Sequence, residues 1–183
     1  MKHRLRELRI TTDRLVLVPV GPAHRTDIFR EFTPELTIYM AAAPAAEIGD
    51  TDRFIRESIA RMERDEEIVC AVLARRSDEL LGVTGLHRIH TPTPELGVWI
   101  KRGAHGNGYG REAVAALKAW ADQHLEVEYI RYPVAAANRA SRKIAEALGG
   151  ELVREFEDAN HAGIRMPWTE YRFYKVPAAG RGR

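Results

Sequence analysis

The stretch HGNGYGREAV, from His105 to Val114, puts glycine at every second position (Gly106, Gly108, Gly110) and then turns into helix-forming sequence. Glycine in or beside a helix is unfavourable by roughly 1 kcal/mol per residue against alanine, so bare backbone there needs a reason. A strand, a glycine-rich turn and a helix N-terminus together make an anion site. The first helical N–H groups have no partner within the helix, and the helix dipole adds partial positive charge at the same end. Absent side chains let phosphate oxygens reach those amides, and glycine accepts the positive φ angles that such turns use. Arg111, in the first helical turn, could add a charge-assisted bond. A Walker A loop, G-x-x-x-x-G-K-[ST], is excluded because no lysine follows Gly108 or Gly110. The dinucleotide fingerprint G-x-G-x-x-G is met at Gly106 and Gly108 but has Arg111 at its third glycine.

Other reactive side chains are few. His87 and His90 fall on opposite faces of a regular strand, and the chain has one cysteine and no H-E-x-x-H pair, so no metal site is expected. Cys70 lies in IVCAVLA and reads as a buried strand residue, not a nucleophile. No G-x-S-x-G elbow is present. Asn138 and Ser141 stand three apart at a predicted helix start and can face the same side; Asn138 is also a good cap for that helix.

The elements that must position these residues follow from periodicity. LRITTDRLVLVPV alternates and reads as a first strand. A weak helical pattern runs from Pro22 to about Tyr39, and a second helix, capped by Asp50 and buried through Phe54, Ile55, Ser58, Ile59 and Met62, runs to about Glu66. Three strands with short connections, IVCAVLARR, LLGVTGLHRIH and ELGVWIKR, predict an antiparallel meander. After Gly110, the residues Ala113, Leu117, Trp120 and Ala121 mark the inner face of a helix, with Glu112, Lys118 and Asp122 turned away. The strand YIRYPVAAAN, a short helix closed by Gly149, and a final hairpin of ELVREFE with WTEYRFYKV complete a mixed α+β order.

With 183 residues, 45% hydrophobic and 30% charged, the chain reads as one ordinary globular domain. A net charge of +2 with no dominant basic block does not indicate nucleic acid. The charged N-terminus lacks the apolar stretch of a signal peptide. The longest uncharged run, LTIYMAAAPAA, falls far short of the ~20 residues of a membrane span. A cytoplasmic protein is expected.

The loop His105-Gly106-Asn107-Gly108-Tyr109-Gly110 followed by REA resembles the pyrophosphate-binding loop, [RQ]-x-x-G-x-[GA], of the GNAT superfamily of acyl-CoA-dependent N-acyltransferases. His105 departs from the usual Arg or Gln. ITTDRLVLVPV resembles the opening strand, T-x-R-L-x-L-R-x, of the branch that includes the ribosomal-protein N-terminal acetyltransferases (RimJ/RimL-like). PELGVWIKRG resembles that branch's central strand, and NRASRKIAEALGG its N-x-x-S segment, all in family order over residues 8–176.

The resemblance implies a central, mostly antiparallel twisted sheet of about six to seven strands, with flanking helices and one βαβ unit. It implies acetyl-CoA as cosubstrate, with its pyrophosphate on His105, Gly106, Asn107, Gly108, Tyr109, Gly110 and Arg111. The pantetheine arm would run along the backbone of Val98, Trp99 and Ile100, and Asn138 and Ser141 would add contacts. Trp99 could equally be a packing residue. Glu95, at the start of the strand that would carry the thioester, is the candidate base for an amine, directly or through water; the alternative is a solvated carboxylate. Ser141 is the candidate proton donor to the thiolate, with Tyr132 as fallback. The acceptor pocket is expected between residues 39–50, Glu95, His87 and the loop 158–167. There Glu35, Glu47, Asp50, Glu157 and Asp158 would favour a cationic amine.

The implied reaction is direct transfer of acetyl from CoA to a primary amine, on a protein N-terminus or a small molecule, within a ternary complex. A non-catalytic acyl-CoA-binding module of the same fold, and a dinucleotide-binding domain, are the alternatives. A catalytic domain over 1–176, a flexible tail at 177–183, no nucleic-acid or membrane partner, and a homodimer as one allowed assembly complete the expectation.

Overall fold

The computed structural model describes residues 5–175; the tail at 177–183 and the first residues of the basic N-terminus lie outside the described residues. The expected first strand is two. Thr12 N donates to Leu15 O and Leu15 N donates to Thr12 Oγ1, each at 2.9 Å. This tight turn folds β1 (Ile10–Thr11) back on β2 (Leu15–Pro19). The sheet therefore has eight strands, in the order β1-β2-β3-β4-β5-β6-β8-β7, where six to seven were expected.

The meander forms as the short turns predict: β3 (Glu67–Ala74), β4 (Leu80–His87) and β5 (Glu95–Ile100) pair antiparallel in sequence. The helix α4 (Tyr109–His124) then carries the chain to β6 (Tyr129–Ala135), which lies parallel to β5. The hairpin of β7 (Glu151–Ala159) and β8 (Arg165–Tyr174) inserts with β8 against β6, so β7 forms the edge. One glycine sets the approach of β4 to β5. A Cβ on Gly82 would stand 2.0 Å from the carbonyl oxygen of Trp99, so no side chain fits there.

Both faces of the central strands are covered. On one, Cys70, Leu86, Leu96 and Tyr132 pack against Ala113, Val114, Leu117 and Ala121 of α4, and Ala145 of α5 (Arg139–Ala147). Complete burial of Leu117 contributes about 2–3 kcal/mol. On the other face, Val69, Ala71 and Val83 pack against Ile28 of α1 (Arg25–Glu31) and Ile55 of α3 (Ile48–Glu63). Among the described residues no helix is long and apolar enough to cross a membrane.

Three helix expectations change. The pattern over 22–39 breaks into a 3-10 turn at Pro22–His24, α1, and the single turn α2 (Pro34–Thr37). Thr33 is extended, as sterics require before proline. α3 starts at Ile48, ahead of Asp50, so Asp50 caps from inside the first turn by accepting from Ala46 N at 3.0 Å and Glu47 N at 3.3 Å. Its outward-leaning Phe54 is 38% exposed. On α4, Glu112 does not face away: it accepts bonds from the Thr12 hydroxyl and from Arg14 N, pinning the β1–β2 turn to the helix.

Candidate functional site

β5 and β6 share one register pair, Glu95↔Arg131, and then part; β6 continues against β8 while β5 leads into the glycine loop. Two cavities open beside this split. One, of about 410 Å³, runs from Val98, Trp99 and Ile100 along the glycine loop to Asn138 and Ser141. The other, of about 440 Å³, lies over β4 and β5 beneath α1, α3 and residues 42–45. They share Met40, Val98 and Trp99, so they meet where the strands separate.

The glycine loop has the form an anion needs. Gly106 and Gly108 sit at φ +80° and +77°, where a side chain is strained. Gly108 is also the N-cap of α4 and has no side chain to bond the first amides of the helix. Gly110 is small for packing: a Cβ there would stand 3.1 Å from Ile144 Cδ1 and 3.4 Å from Ile100 Cγ1. Of the residues expected here, His105, Gly106, Gly108, Tyr109, Gly110 and Arg111 line the cavity, and Asn107 does not. The Asn107 amide turns back to donate to Ala104 O at 3.2 Å and His105 O at 3.1 Å. His105 Nε2 lies 2.6 Å from Ile100 O, so its ring braces the loop against β5.

Behind the loop stands a residue that sequence reasoning missed. Arg14 donates through Nη1 to Asn107 O at 2.9 Å and through Nε to Glu112 Oε2 at 2.7 Å, and its guanidinium lies 4.8 Å from the Tyr109 ring centre. Its only local signal was the T-x-R-L context, since its partners lie more than 90 positions away.

Asn138 Oδ1 accepts from Ser141 N at 3.1 Å, so Asn138 does cap α5. Ser141 Oγ and Tyr132 Oη are 2.8 Å apart, which makes the proton-donor candidate and its fallback one hydrogen-bonded pair. Burial pushes the Tyr132 hydroxyl up to about 12, against a smaller opposing effect of the Ser141 bond. Cys70 is wholly buried and its thiol is likewise pushed up to about 12, consistent with an inert core residue.

Glu95 is not placed as a base should be. Its Oε2 accepts from Arg88 at 3.0 Å and Arg131 at 3.1 Å, and it lines neither cavity. Arg131 in turn donates to Glu170, which Arg154 and Arg172 also reach. The cross-strand partner of Glu95 is His87, which does line the second cavity. His87 Nδ1 lies 2.9 Å from Oε2 of Glu67, whose side chain is only 6% exposed.

The acceptor side also differs from expectation. Met40, residues 42–45, Asp50 and His87 line the second cavity, but Glu47, Glu157 and Asp158 line neither, and Glu35 borders the first. The tip of the β7–β8 hairpin instead holds the cavity wall from outside. Asn160 Nδ2 donates to Ile38 O and His161 N to Met40 O, each at 3.0 Å, and His161 Nε2 lies 3.2 Å from Thr37 Oγ1.

The profile of the acetyltransferase (GNAT) domain family matches residues 14–151. No match is found among proteins of curated function. Solved structures share the fold. The ribosomal L7/L12 alpha-N-protein acetyltransferase RimL, solved with coenzyme A, superposes with a TM-score of 0.82 at 16% identity, over 91% of this chain and 98% of that one. The ribosomal-protein-S5-alanine acetyltransferase from Vibrio fischeri gives 0.82 at 13% identity, over 93% and 98%. The microcin C7 self-immunity acetyltransferase MccE, solved with acetyl-CoA and AMP, gives 0.78 at 17% identity, over 89% and 93%.

Proposed function

The chain belongs to the acetyltransferase (GNAT) domain family, and from that premise we propose that it moves an acetyl group from acetyl-CoA to a primary amine by direct transfer, with both substrates bound at once. One observation carries the reading: two cavities, one floored by the glycine loop and the N-terminus of α4, meet at Val98 and Trp99 where β5 leaves β6. Acetyl-CoA supplies an activated acyl group as a thioester.

This chain's own residues do the rest. The amides opening α4 and the bare backbone at Gly106 and Gly108 take the pyrophosphate, and the helix dipole stabilises its charge. Past its one register pair with β6, β5 offers backbone groups at Val98 to the pantetheine amides, while the Ile100 carbonyl is held by His105. Ser141, bonded to Tyr132, delivers a proton to the departing thiolate. Cys70, the one cysteine of the chain, is buried and burial pushes its pKa up, which leaves no thiolate to carry the acyl group and favours direct transfer over an acyl-enzyme. Likeness to ribosomal-protein acetyltransferases supports a protein N-terminus as one acceptor, and a small-molecule amine is the other.

The test is thiol release from acetyl-CoA across a panel of peptides and small amines, alongside calorimetric titration with CoA and NAD. CoA binding with amine-dependent thiol release is expected. Binding without release for any amine would reduce the protein to a binding module, and preference for NAD would overturn the reading.

A further inference from the structure

The second cavity exists because two glycines face each other in the sheet. Gly85 of β4 pairs with Gly97 of β5, and both border the cavity. Their row has no side chains on that face, between the Val83–Trp99 row on one side and the His87–Glu95 row on the other. A Cβ on Gly97 would meet nothing within 4 Å, so nothing else fills the space. A Cβ on Gly85 would stand 2.8 Å from His87 Nε2, so the imidazole lies across that bare backbone. Nε2 thus sits over β4 beside its pairing with β5, the strand that carries Val98 and Trp99.

The walls are apolar: Ile28 of α1 and Phe32 just after it, Met40, Pro44, Phe54 from α3, and Trp99, whose ring is 5.1 Å from that of Phe32. The one carboxylate that borders the cavity, Asp50, is spent on the backbone of Ala46 and Glu47 and on Arg53. His87 is the other titratable side chain there. Its Nδ1 faces the buried carboxylate of Glu67, which sets the tautomer: Nδ1 carries the proton and donates, and Nε2 keeps its lone pair toward the cavity. The charged groups around this pair are Arg61 of α3, 3.6 Å from Glu67 Oε1, Asp50 across the cavity, and Glu95, which is held by Arg88 and Arg131.

We propose that the acceptor is a primary amine carried on an apolar body, and that His87, oriented by Glu67, is the base that takes its proton. The inference rests on the acetyl-transfer reading above. The amine lone pair forms the new C–N bond to the thioester carbonyl carbon, and the C–S bond breaks. The N–H proton goes to His87 Nε2, and the resulting imidazolium is stabilised by the Glu67 carboxylate. Ser141 protonates the thiolate and recovers its proton from water, while His87 returns its own to water.

The experiment compares 2-phenylethylamine with spermidine as acceptors for acetyl-CoA, in wild type and in His87→Gln, Glu67→Gln and Glu95→Gln. Phenylethylamine is expected to have the higher kcat/KM; a preference for spermidine overturns the apolar acceptor. His87→Gln is expected to lower kcat about 100-fold with CoA affinity and Tm retained, the range for loss of a general base. It should also abolish the acidic limb of the kcat/KM profile, and added imidazole should restore part of the rate to His87→Ala. Glu67→Gln should fall between the two, and Glu95→Gln should match wild type. Full activity in His87→Gln, or loss in Glu95→Gln with an intact Tm, overturns His87 as the base while acetyl transfer stands. Absence of thiol release with any amine, with CoA still bound, removes the transfer reading itself.

Discussion

Replacing Arg14 tests whether the glycine loop is aimed by a residue outside it. Arg14 holds the Asn107 carbonyl oxygen at 2.9 Å from the side of the β1–β2 turn. In a planar trans peptide the following N–H points the opposite way, so this bond turns the Gly108 amide away from Arg14, toward the cavity that Gly108 borders. The Arg14 side chain is 49% exposed, so its contributions must be discounted for solvent. The bond to Asn107 O is worth about 1 kcal/mol, the fork onto Glu112 about 0.5 kcal/mol, and the contact with the Tyr109 ring about 0.5 kcal/mol.

Arg14→Ala should therefore lower stability by about 2 kcal/mol, or about 4–8 °C in Tm for a chain of this size. One misaimed amide should weaken CoA by about 1 kcal/mol, a Kd roughly fivefold higher. Arg14→Lys separates aim from charge. Lysine keeps the positive charge but cannot hold the carbonyl and Glu112 together, so its CoA affinity should fall with that of alanine. Calorimetric titration with CoA, run beside thermal unfolding, reads both quantities. An Arg14→Ala protein that loses Tm but binds CoA as wild type does would refute the reasoning. Full affinity in Arg14→Lys would show that only charge matters.

Other perturbations test other parts of the structure. Gly108→Ala must place a side chain at φ +77°, a strain of about 1–2 kcal/mol, and should weaken CoA binding in titration while the far-UV spectrum is unchanged. Ser141→Ala should slow acetyl transfer with little change in Tm, because the Asn138 cap bonds the backbone of residue 141 and survives; a fall in Tm with normal turnover would contradict this. Leu117→Ala should destabilise by about 2–5 kcal/mol in denaturant titration. Glu170 is 1% exposed, and although burial disfavours its charge, bonds from Arg131 and Arg172 outweigh that and hold its carboxyl down at about 2. Its contribution, roughly 3 kcal/mol, is complete above the ordinary value of 4.5 and is lost as pH falls from there toward 2. Glu170→Gln should lower Tm at neutral pH and flatten the dependence of Tm on pH below 4.5.

The sequence alone determined what is decided locally. The apolar runs and short turns of β3 to β5, the stripe of α4, the glycine closing α5 and the bare loop before Tyr109 are written in neighbouring residues, because periodicity and backbone conformation depend on neighbours. Tertiary structure decided which functional side chains meet. Glu95 reads as a free carboxylate until Arg131, 36 positions later, and Arg88 are laid beside it. His87 reads as an isolated imidazole until the β3–β4 register sets Glu67 opposite, and the hollow it faces appears only when Gly85 and Gly97 pair across strands. Arg14 meets its loop 93 positions away. Even the first strand was cut in two by a hydroxyl that accepts a backbone bond and is itself held by Glu112. Local pattern decides the elements, since their hydrogen bonds and faces repeat over a few residues. The charge and proton affinity of a site depend on who stands within a few ångströms, and only strand register and helix packing decide that.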